Sequence, residues 1–408
     1  MNAGSPLLPV ADALARVLAS APVPLPAEEV PIALARGRTL AADLAARRTQ
    51  PPADVSAMDG YALRAADIAT VPADLAIIGE SVAGQGFSGT VGPGEAVRIL
   101  TGAPVPAGAD TVLIQENTTR DGDRLTALQA DPVGRNIRRA GLDFAAGSVQ
   151  LRAGRRLGPS ELALAAAMDY STLPVVRRPR VAILASGDEL VRPGEPIGPD
   201  QIVASNTYAV AAYAEAAGAQ TIDLGIAADE FPALEERIRA ALAAEADVLV
   251  TVGGASVGDR DLVQTALARE GMSLDFWKIA MRPGKPLMHG AIGDMRILGL
   301  PGNPVSAIVC GILFLVPLVR ALQGDPNAGA DPTEAAVLGA AMRENDNRAD
   351  YVRAALVTGG DGLPVATPFP RQDSSMLSIL AEAECLVVRQ PFAPAAAAGD
   401  PCRIVRLR

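Results

Sequence analysis

The sequence predicts a multi-domain protein built around a doubly wound α/β domain with a parallel sheet. Three observations support this fold class. The chain has 408 residues, which is too long for one ordinary hydrophobic core. Strand-like and helix-like segments alternate from about residue 179, a pattern typical of parallel sheets. Short β-rich runs with Gly and Pro turns lie before and after that region and indicate smaller β domains.

The N-terminal part of the chain is predicted to combine helices with a small β domain. Residues 9–48 are rich in alanine and are expected to form helices, interrupted by the segment APVPLP. Residues 74–132 contain runs such as AVRIL and DTVLIQE, which favour strands. The segment PSELALAAAM at 159–168 predicts another helix, with Ser160 as its cap after Pro159.

The second half of the chain supplies the alternating pattern and then returns to strands. Its predicted strands are RVAILAS, TIDLGI, DVLVTVGG and RILGLPGN. Its predicted helices are SNTYAVAAYAEAAG, which Gly218 ends, then FPALEERIRAALAAEA, DRDLVQTALAREG and a long helix from Pro304. From about residue 331 the runs YVRAALV and CLVVRQ predict a separate C-terminal β domain.

Composition and charge exclude several functional classes. A net charge of −10 disfavours nucleic-acid binding, which requires a basic face. The apolar stretch AIVCGILFLVPLV at 307–319 is shorter than the roughly 18 to 20 residues of a membrane span, so we expect a buried helix and no membrane. We expect no secretory signal, because the sequence does not begin with a charged segment followed by an apolar one. Cys310, Cys385 and Cys402 show no Cys-x-x-Cys spacing, which argues against disulfides or zinc and indicates a reducing cytoplasm.

Three loops fall where a doubly wound sheet presents its ligand site. They are ASGDEL (185–190), GGASVGDRD (253–261) and LPGNP (300–304), each directly after a predicted strand. Glycines let the backbone approach a ligand, and free N–H groups at a helix start attract anions. Asn303 and Pro304 suit the cap and first-turn positions of the following helix. The candidate binding residues in these loops are Ser186, Gly187, Gly253, Gly254, Ser256, Pro301, Gly302, Asn303 and Pro304.

Two of these loops carry carboxylates. Asp188 and Glu189 lie in the first loop, and Asp259 and Asp261 lie in the second. Carboxylates beside a phosphate pocket repel the ligand unless a cation lies between them, so Mg²⁺ is the inferred cofactor. Helix capping is the alternative role for these acids, above all for Asp259.

The only two lysines of the chain lie close together in KIAMRPGKP, residues 278–286. Lysine is a compact point charge on a flexible stem, which suits a phosphate or a tetrahedral oxyanion. With Arg282 between Lys278 and Lys285, the segment predicts an anion site, and chance clustering is the alternative. The nearby His289 is interpreted as a packed or capping residue.

A further candidate is Asp59, in the segment PPADVSAMDGYALRAAD. It precedes Gly60 in a predicted turn, so a purely structural Asp-Gly turn remains the alternative to a functional carboxylate. Thr101 follows another predicted strand in a similar position.

Seven stretches together resemble the molybdopterin molybdenumtransferase family, which includes the C-terminal domain of gephyrin. In family order they are SAMDGYA, RILTGAPVPAGADTVLIQE, GLDFAAG, ASGDEL, GGASVGDRD, KIAMRPGKP and GLPGNPVSA. The resemblance covers nearly the whole chain, and seven motifs in order are highly specific.

The resemblance implies an elongated homodimer of four-domain subunits. Residues 1–50 and 145–177 would form a helical linker and dimer domain, and 51–144 an inserted β domain. A doubly wound molybdopterin-binding domain (178–325) and a C-terminal β domain (326–408) would follow. The active site would lie in a cleft at the doubly wound domain, facing the inserted β domain of the other subunit.

The implied reaction inserts molybdenum from molybdate into adenylylated molybdopterin and releases AMP. The residues that match family positions tied to activity are Asp59, Thr101, Asp143, Glu189, Asp229 and Asp261, of which Glu189 and Asp261 would hold Mg²⁺. The residues that resemble the molybdate pocket are Arg282, Lys285, Ser306, Arg353 and Ser374. Lys278 would serve the pterin phosphate.

The chain departs from the common family pattern in two places. Arg282 stands where many members have lysine, and Glu384 and Cys385 stand where an Asn-Gly or Asp-Gly turn is usual. Two other functions compete with the transferase. One is a molybdopterin adenylyltransferase, which resembles the doubly wound domain alone and is also a partner that would supply the substrate. The other is a non-catalytic scaffold of the same fold.

Overall fold

The computed structural model describes residues 7–253, 262–359 and 362–407. Within these ranges the strands form three six-stranded sheets and four two-stranded ribbons. The three sheets correspond to an inserted β unit, a central α/β unit and a C-terminal β unit. The exact domain boundaries remain predictions.

The elements of the N-terminal part are mostly short strands. Its helices are Val10–Ala19 (α1) and Pro159–Ala167 (α2), with 3-10 turns at Ile32–Leu34, Ala65–Ile68 and Gln115–Asn117. Its strands are Ala27–Pro31 (β1), Leu44–Ala45 (β2), Val55–Ser56 (β3), Gly60–Leu63 (β4), Ala73–Ser81 (β5), Glu95–Ile99 (β6), Thr111–Ile114 (β7), Thr118–Asp121 (β8), Arg124–Ala127 (β9), Ile137–Arg138 (β10), Val149–Leu151 (β11) and Thr172–Val176 (β12).

The prediction of helices throughout residues 9–48 is wrong beyond α1. Strand β1 pairs antiparallel with β12, and β2 pairs with β11, so the first and last parts of the split unit meet through strands. The interruption at APVPLP is as predicted, and beyond it Pro31 and Gly37, which has a φ of +75°, prevent a continuous helix. Helix α1 packs Ala13 and Val17 into the core of the α/β unit.

The N-cap of helix α2 lies two residues earlier than predicted. Its N-cap is Gly158, and Pro159 takes the first helical position. The Glu161 carboxylate accepts a hydrogen bond from the Gly158 N–H at 2.9 Å. Ser160, predicted as the cap, therefore lies inside the helix.

Strands β3 to β10 form the inserted unit. Its six-stranded sheet has the order β7-β4-β6-β5-β9-β8, and β3 and β10 form a separate antiparallel ribbon at one end. Leu63, Ile68 and Leu125 are fully buried in its core. The ribbon and the loop after β6 meet, because the Gly102 N–H donates to the Ser56 carbonyl at 2.9 Å.

The central unit contains the predicted doubly wound sheet. Its strands are Arg180–Ser186 (β13), Leu190–Val191 (β14), Ile202–Val203 (β15), Gln220–Ala227 (β16), Val248–Val252 (β17), Ser273–Trp277 (β18), Met281–Arg282 (β19), Met288–Ile292 (β20) and Met295–Leu300 (β21). Its helices are Asn206–Ala216 (α3), Phe231–Ala243 (α4), Leu262–Arg269 (α5) and Pro304–Leu322 (α6), the last with a π-helical turn at Gly311–Leu315.

The order of the central sheet is β16-β13-β17-β21-β20-β18. The first four strands are parallel, as predicted. At the edge, β20 runs antiparallel to β21, and β18 runs antiparallel to β20. Strand β16 lies on one side of β13, and the next strand, β17, lies on the other. The chain therefore changes direction across the sheet between β13 and β17, where ligands of doubly wound sheets bind.

Helix α6 is the apolar segment identified in the sequence. With 19 residues it is longer than predicted, and among the described residues it is the one helix long and apolar enough to span a membrane. Most of it is buried against the sheet, because Phe314, Leu315 and Leu318 have no exposed surface. It is the core helix of the α/β unit.

The C-terminal unit is a closed sheet. Its elements are Thr333–Leu338 (β22), Ala349–Thr358 (β23), Pro364–Pro368 (β24), Leu377–Glu382 (α7), Cys385–Arg389 (β25) and Pro401–Arg406 (β26). The order β23-β24-β22-β26-β25 closes through pairing of β25 with β23, which makes a small barrel. Strand β19 of the central unit adds to this barrel beside β23, so the two units share backbone hydrogen bonds.

Candidate functional site

A cavity of about 640 Å³ lies at the carboxyl ends of the parallel strands. Ser186 ends β13, Asp229 follows β16, Gly253 follows β17 and Pro301 follows β21, so all four parallel strands contribute. The wall also includes Gly187, Glu189, Ser205, Asn206, Thr207, Pro286, Gly302, Asn303, Pro304 and Ser375. The three loops predicted to form a ligand site therefore converge as far as the structure describes them.

Two glycines are required by close packing in this cavity. A Cβ at Gly253, whose φ is +96°, would lie 2.6 Å from the Ser186 carbonyl oxygen. A Cβ at Gly187 would lie 2.5 Å from the Glu189 carboxylate, which folds back over the Gly187 backbone. Glycine thus lets two strand ends approach each other and leaves main-chain groups facing the cavity.

The start of helix α6 faces the same cavity. Asn303 is its N-cap and Pro304 its first residue, as predicted. The Asn206 side-chain amide donates to the Gly302 carbonyl at 2.7 Å, which fixes the turn. The Ser186 hydroxyl is buried without a hydrogen-bond partner among the described residues. A buried, unpaired hydroxyl beside a helix N-terminus is available to a polar ligand.

Three carboxylates gather at the rim of this cavity. The Asp188 carboxylate accepts a hydrogen bond from the Asp229 N–H at 3.0 Å. Loss of hydration at the rim, followed by the negative charges of Asp188 and Glu189, raises the pKa of Asp229. The cluster is therefore electrostatically strained by like charges and would be relieved by a cation. No set of three metal-ligating side chains occurs within the described residues.

A second cavity of about 310 Å³ lies between the central unit and the barrel. Pro286 lines both cavities, so the two adjoin. The predicted oxyanion residues all line the second cavity: Arg282, Lys285, Ser306, Arg353 and Ser374. The structure brings these residues together from four separate parts of the chain.

The three cations of the second cavity that the sequence predicted have different environments. Arg353 is only 1% exposed and donates to the carbonyl oxygens of Met376 at 3.0 Å and Asp373 at 2.9 Å. It therefore holds the loop that carries Ser374. Arg282 is bound by carboxylates of the barrel, whereas Lys285 is exposed and forms no ion pair with any described residue.

Lys278 lies apart from its neighbour Lys285. Its Nζ stands 4.1 Å from the centroid of the Trp277 ring, a cation–π contact, and its backbone has a φ of +79°. Lys278 lines neither cavity. Its expected role toward the pterin phosphate stays a prediction.

The described candidates of the inserted unit, Asp59, Thr101 and Asp143, line neither cavity. The exposed Asp59 carboxylate accepts hydrogen bonds from the Thr101 N–H at 2.7 Å and from its hydroxyl at 2.8 Å. These bonds, the backbone one first, lower the pKa of Asp59. Asp143 is exposed, and its N–H donates to the Gln50 carbonyl at 3.0 Å. Gly254, Ser256, Asp259 and Asp261 lie outside the described residues.

Sequence reasoning missed several residues of the site. Asn206 and Thr207 reach the larger cavity from the start of α3, and the polar segment SNT before an apolar helix was the available signal. Asp350 lines the smaller cavity, and nothing local in the sequence marks it.

The single histidine is a packed residue, as predicted. His289 is 3% exposed, and its ring lies 5.4 Å from that of Phe276. Its Nδ1 is 3.2 Å from the Asp275 carboxylate, and burial lowers its pKa.

Together the fold and the two adjoining cavities define a multi-domain α/β protein with one cavity at the carboxyl ends of its parallel strands and a second between the sheet unit and the barrel. The chain matches three family profiles in order: MoeA N-terminal region (domain I and II) over residues 8–168, probable molybdopterin binding domain over 182–321, and MoeA C-terminal region (domain IV) over 335–407.

Known proteins of the same length give the same result. A molybdopterin molybdenumtransferase of Haemophilus influenzae is 33% identical over 399 residues, which cover 98% of each chain. One of Nostoc sp. is 40% identical over 304 residues, which cover 73% of this chain and 70% of the relative. A molybdopterin biosynthesis MoeA protein of Pyrococcus horikoshii OT3 superposes with a TM-score of 0.83 and 26% identity, over 98% of this chain and all of that one. The chain belongs to the molybdopterin molybdenumtransferase family, and the predicted fold class is confirmed.

Proposed function

We propose that this protein inserts molybdenum from molybdate into adenylylated molybdopterin and releases AMP. The observation that supports this most directly is the pair of adjoining cavities that share Pro286. One is large enough for an organic phosphate substrate and the other suits a small oxyanion. Relatives named molybdopterin molybdenumtransferase along nearly the whole chain support the same reaction.

The larger cavity would bind the adenylylated molybdopterin. Its glycine-lined strand ends and the start of α6 offer N–H groups to phosphate oxygens. Ser186 adds a buried hydroxyl without a competing partner among the described residues. The binding residues assigned to this cavity are Ser186, Gly187, Gly253, Pro301, Gly302, Asn303 and Pro304.

The smaller cavity would bind molybdate, which is the metal-containing substrate. Lys285 provides an uncompensated positive charge, and Ser306 and Ser374 provide hydroxyl donors. Because Pro286 lines both cavities, a molybdate bound here would lie next to a substrate in the larger cavity. No cysteine of the chain lines either cavity, so the sulfur ligands come from molybdopterin.

The acidic rim would favour a Mg²⁺ ion, because loss of hydration and then the charges of Asp188 and Glu189 raise the pKa of Asp229, and a cation would offset those charges. Glu189 would hold the ion, together with Asp261 and with phosphate oxygens of the substrate. When bound, Mg²⁺ supplies positive charge against the phosphoanhydride and its leaving group. Asp188 and Asp229 would then orient water and the ion rather than repel the phosphates.

We further propose that the site is completed in a homodimer. Asp59, Thr101 and Asp143 face solvent on the inserted unit and do not reach a cavity of their own subunit. The two hydrogen bonds from Thr101 keep Asp59 ionised and fixed in direction. An exposed, ionised carboxylate held in this way could contact the substrate bound by the other subunit. A cytoplasmic enzyme that receives its substrate from an adenylyltransferase is the setting consistent with this reaction.

An AMP-release assay with pre-adenylylated molybdopterin tests the proposal. AMP release should depend on both molybdate and Mg²⁺. The substitution Asp59→Asn should lower it about 100-fold or more, the usual cost of losing a charged catalytic group. Asp43→Asn, which removes a carboxylate paired with Arg152 at 2.7 Å outside both cavities, is the matched control.

The two competing functions give different outcomes in the same assay. ATP-dependent adenylylation of free molybdopterin would support an adenylyltransferase instead. Molybdate insertion by neither the wild-type protein nor the variants, with the fold intact, would support a scaffold.

A further inference from the structure

Arg282 lines the smaller cavity, but its guanidinium points to acceptors on the barrel. It donates to the carboxylate of Asp350 at 2.7 Å, to that of Asp346 at 3.0 Å and to the side-chain oxygen of Asn345 at 3.1 Å. Arg282 and Asp350 are also register partners on β19 and β23. Backbone and side chain therefore make the same connection between the two units.

The acceptors of Arg282 are themselves held in place. Asp346 accepts hydrogen bonds from the Arg348 N–H and from its guanidinium, each at 3.0 Å. The Asn345 amide donates to the carbonyl oxygens of Arg348 at 2.7 Å and Gln390 at 2.9 Å. The loop at 345–348 is thus held by hydrogen bonds that do not involve Arg282. This lowers the entropic cost of fixing the long Arg282 side chain against it.

The charge of Arg282 is already compensated. Its hydrogen bond with Asp350, and then the charges of Asp350 and Asp346, raise the pKa of the guanidinium and show that it is stabilised where it is. Moving it to an oxyanion would take from the Asp350 carboxylate, which lines the cavity, its hydrogen bond with the guanidinium. Lys285, three residues further on, has no such partner among the described residues and keeps its charge for a ligand.

The planar guanidinium explains why arginine stands here. Three acceptors in a fan match the fork of N–H groups in arginine, whereas the point charge of lysine suits only one or two of them. Within the segment 281–286, Met281 is paired with Ala349. Just before it, the Ile279 N–H donates to the Lys285 carbonyl at 2.9 Å. Fixing Arg282 therefore fixes the backbone that presents Lys285.

We propose that Arg282 is a positioning residue that ties segment 281–286 to the barrel, and that Lys285 is the cation that receives the oxyanion. This inference rests on the proposed function, because it assigns roles within the molybdate pocket. Arg282 then acts on the oxyanion only through the position of Lys285.

Calorimetric titration of the full-length protein with molybdate tests the two roles. Lys285→Gln should weaken binding about 10- to 100-fold, as for loss of a charge-assisted hydrogen bond. Arg282→Gln and Asp350→Asn should each weaken it in the same direction, by about 3- to 10-fold. The double substitution should cost no more than either single one, because both break the same connection.

Tighter molybdate binding by Asp350→Asn than by the wild type would overturn the inference. If Arg282 were the ligand, removing its competing carboxylate would tighten molybdate binding, and Arg282→Lys would bind at least as well as the wild type. If Arg282 is a positioning residue, Arg282→Lys should bind less tightly. Asp43→Asn is again the matched control, with unchanged affinity expected.

A kinetic readout separates positioning from a general loss of structure. Arg282→Gln should raise KM for molybdate and leave KM for adenylylated molybdopterin unchanged, because the larger cavity does not include Arg282. A wild-type protein that binds no molybdate would instead contradict the proposed function itself.

Discussion

The side-chain amide of Asn303 donates a hydrogen bond to the Ser374 hydroxyl at 2.9 Å, and the Val305 N–H donates to the Ser374 carbonyl at 3.0 Å. These bonds join the start of helix α6, which faces the larger cavity, to the barrel loop that lines the smaller one. The two cavities are therefore built from one junction between units. Their separation is set by a few hydrogen bonds that substitutions can remove one at a time.

Removal of the Asn303 amide should loosen the oxyanion pocket. In Asn303→Ala the loop of Ser374 loses one hydrogen bond, worth about 1 kcal/mol, so molybdate affinity should fall about 5-fold in a titration. Gln129→Ala removes an amide that contacts Asp131 on the inserted unit and serves as the control. Equal affinity of Asn303→Ala and the wild type would show that the junction does not set the pocket.

Substitution of Gly253 should damage the larger cavity. Gly253→Ala forces a φ of +96° on alanine and places its Cβ 2.6 Å from the Ser186 carbonyl oxygen. Gly271→Ala is a matched control, because Gly271 has a φ of +92° and nothing within 4 Å of a Cβ. Both carry the backbone strain of about 1–3 kcal/mol, and only Gly253→Ala adds the clash.

Thermal unfolding and substrate titration distinguish these two variants. Gly253→Ala should unfold at a clearly lower temperature than Gly271→Ala and should lose affinity for adenylylated molybdopterin. Equal unfolding temperatures and equal substrate affinities of the two variants would mean that the close approach of β13 and β17 at Gly253 matters neither for stability nor for binding.

Neutralisation of Asp229 should stabilise the ligand-free protein at neutral pH. Its pKa is raised in the folded state, so this group's contribution is most favourable below the unfolded-state pKa and is lost as pH rises through the folded-state pKa. Asp229→Asn removes that loss, so its melting temperature should exceed that of the wild type at pH 7 and match it at acidic pH. Added Mg²⁺ should raise the melting temperature of the wild type more than that of the variant. A variant less stable than the wild type at pH 7 would contradict this account of the rim.

The contact between Thr101 and Asp59 should be visible in the titration of Asp59. The Thr101 hydroxyl is the second-largest cause of the lowered pKa, after the Thr101 N–H, and only the N–H survives in Thr101→Val. The pKa of Asp59 should therefore move upward in Thr101→Val and stay low in Thr101→Ser, as followed by carboxyl-carbon NMR. An unchanged pKa in Thr101→Val would show that the hydroxyl does not hold Asp59.

The sequence predicts the parts of this protein that depend on local patterns. Alternating apolar segments identified the parallel strands, and the Asn303-Pro304 pair identified the start of α6. The prediction of a helix after APVPLP is wrong, because the alanine content of residues 27–48 does not reveal that β1 pairs with the distant strand β12. The prediction of Ser160 as the helix cap is wrong, because Gly158 is the N-cap and its N–H donates to the Glu161 carboxylate.

Contacts between distant residues were beyond sequence reasoning. Arg282 and Asp350 are 68 residues apart, so no local pattern shows that the guanidinium is already paired. The two lysines look equivalent in the sequence, yet a turn with positive φ sends Lys278 onto Trp277 while Lys285 lines the smaller cavity. The central claim is that Lys285, and not Lys278, binds the oxyanion.

Anomalous diffraction at the molybdenum edge from crystals soaked in molybdate tests that claim most directly. The account predicts a single strong peak in the smaller cavity, with molybdate oxygens about 3 Å from the Lys285 Nζ and the hydroxyls of Ser306 and Ser374. Arg282 should remain bound to Asp350. A peak beside Lys278 and Trp277, or at an Arg282 released from its carboxylates, would contradict it.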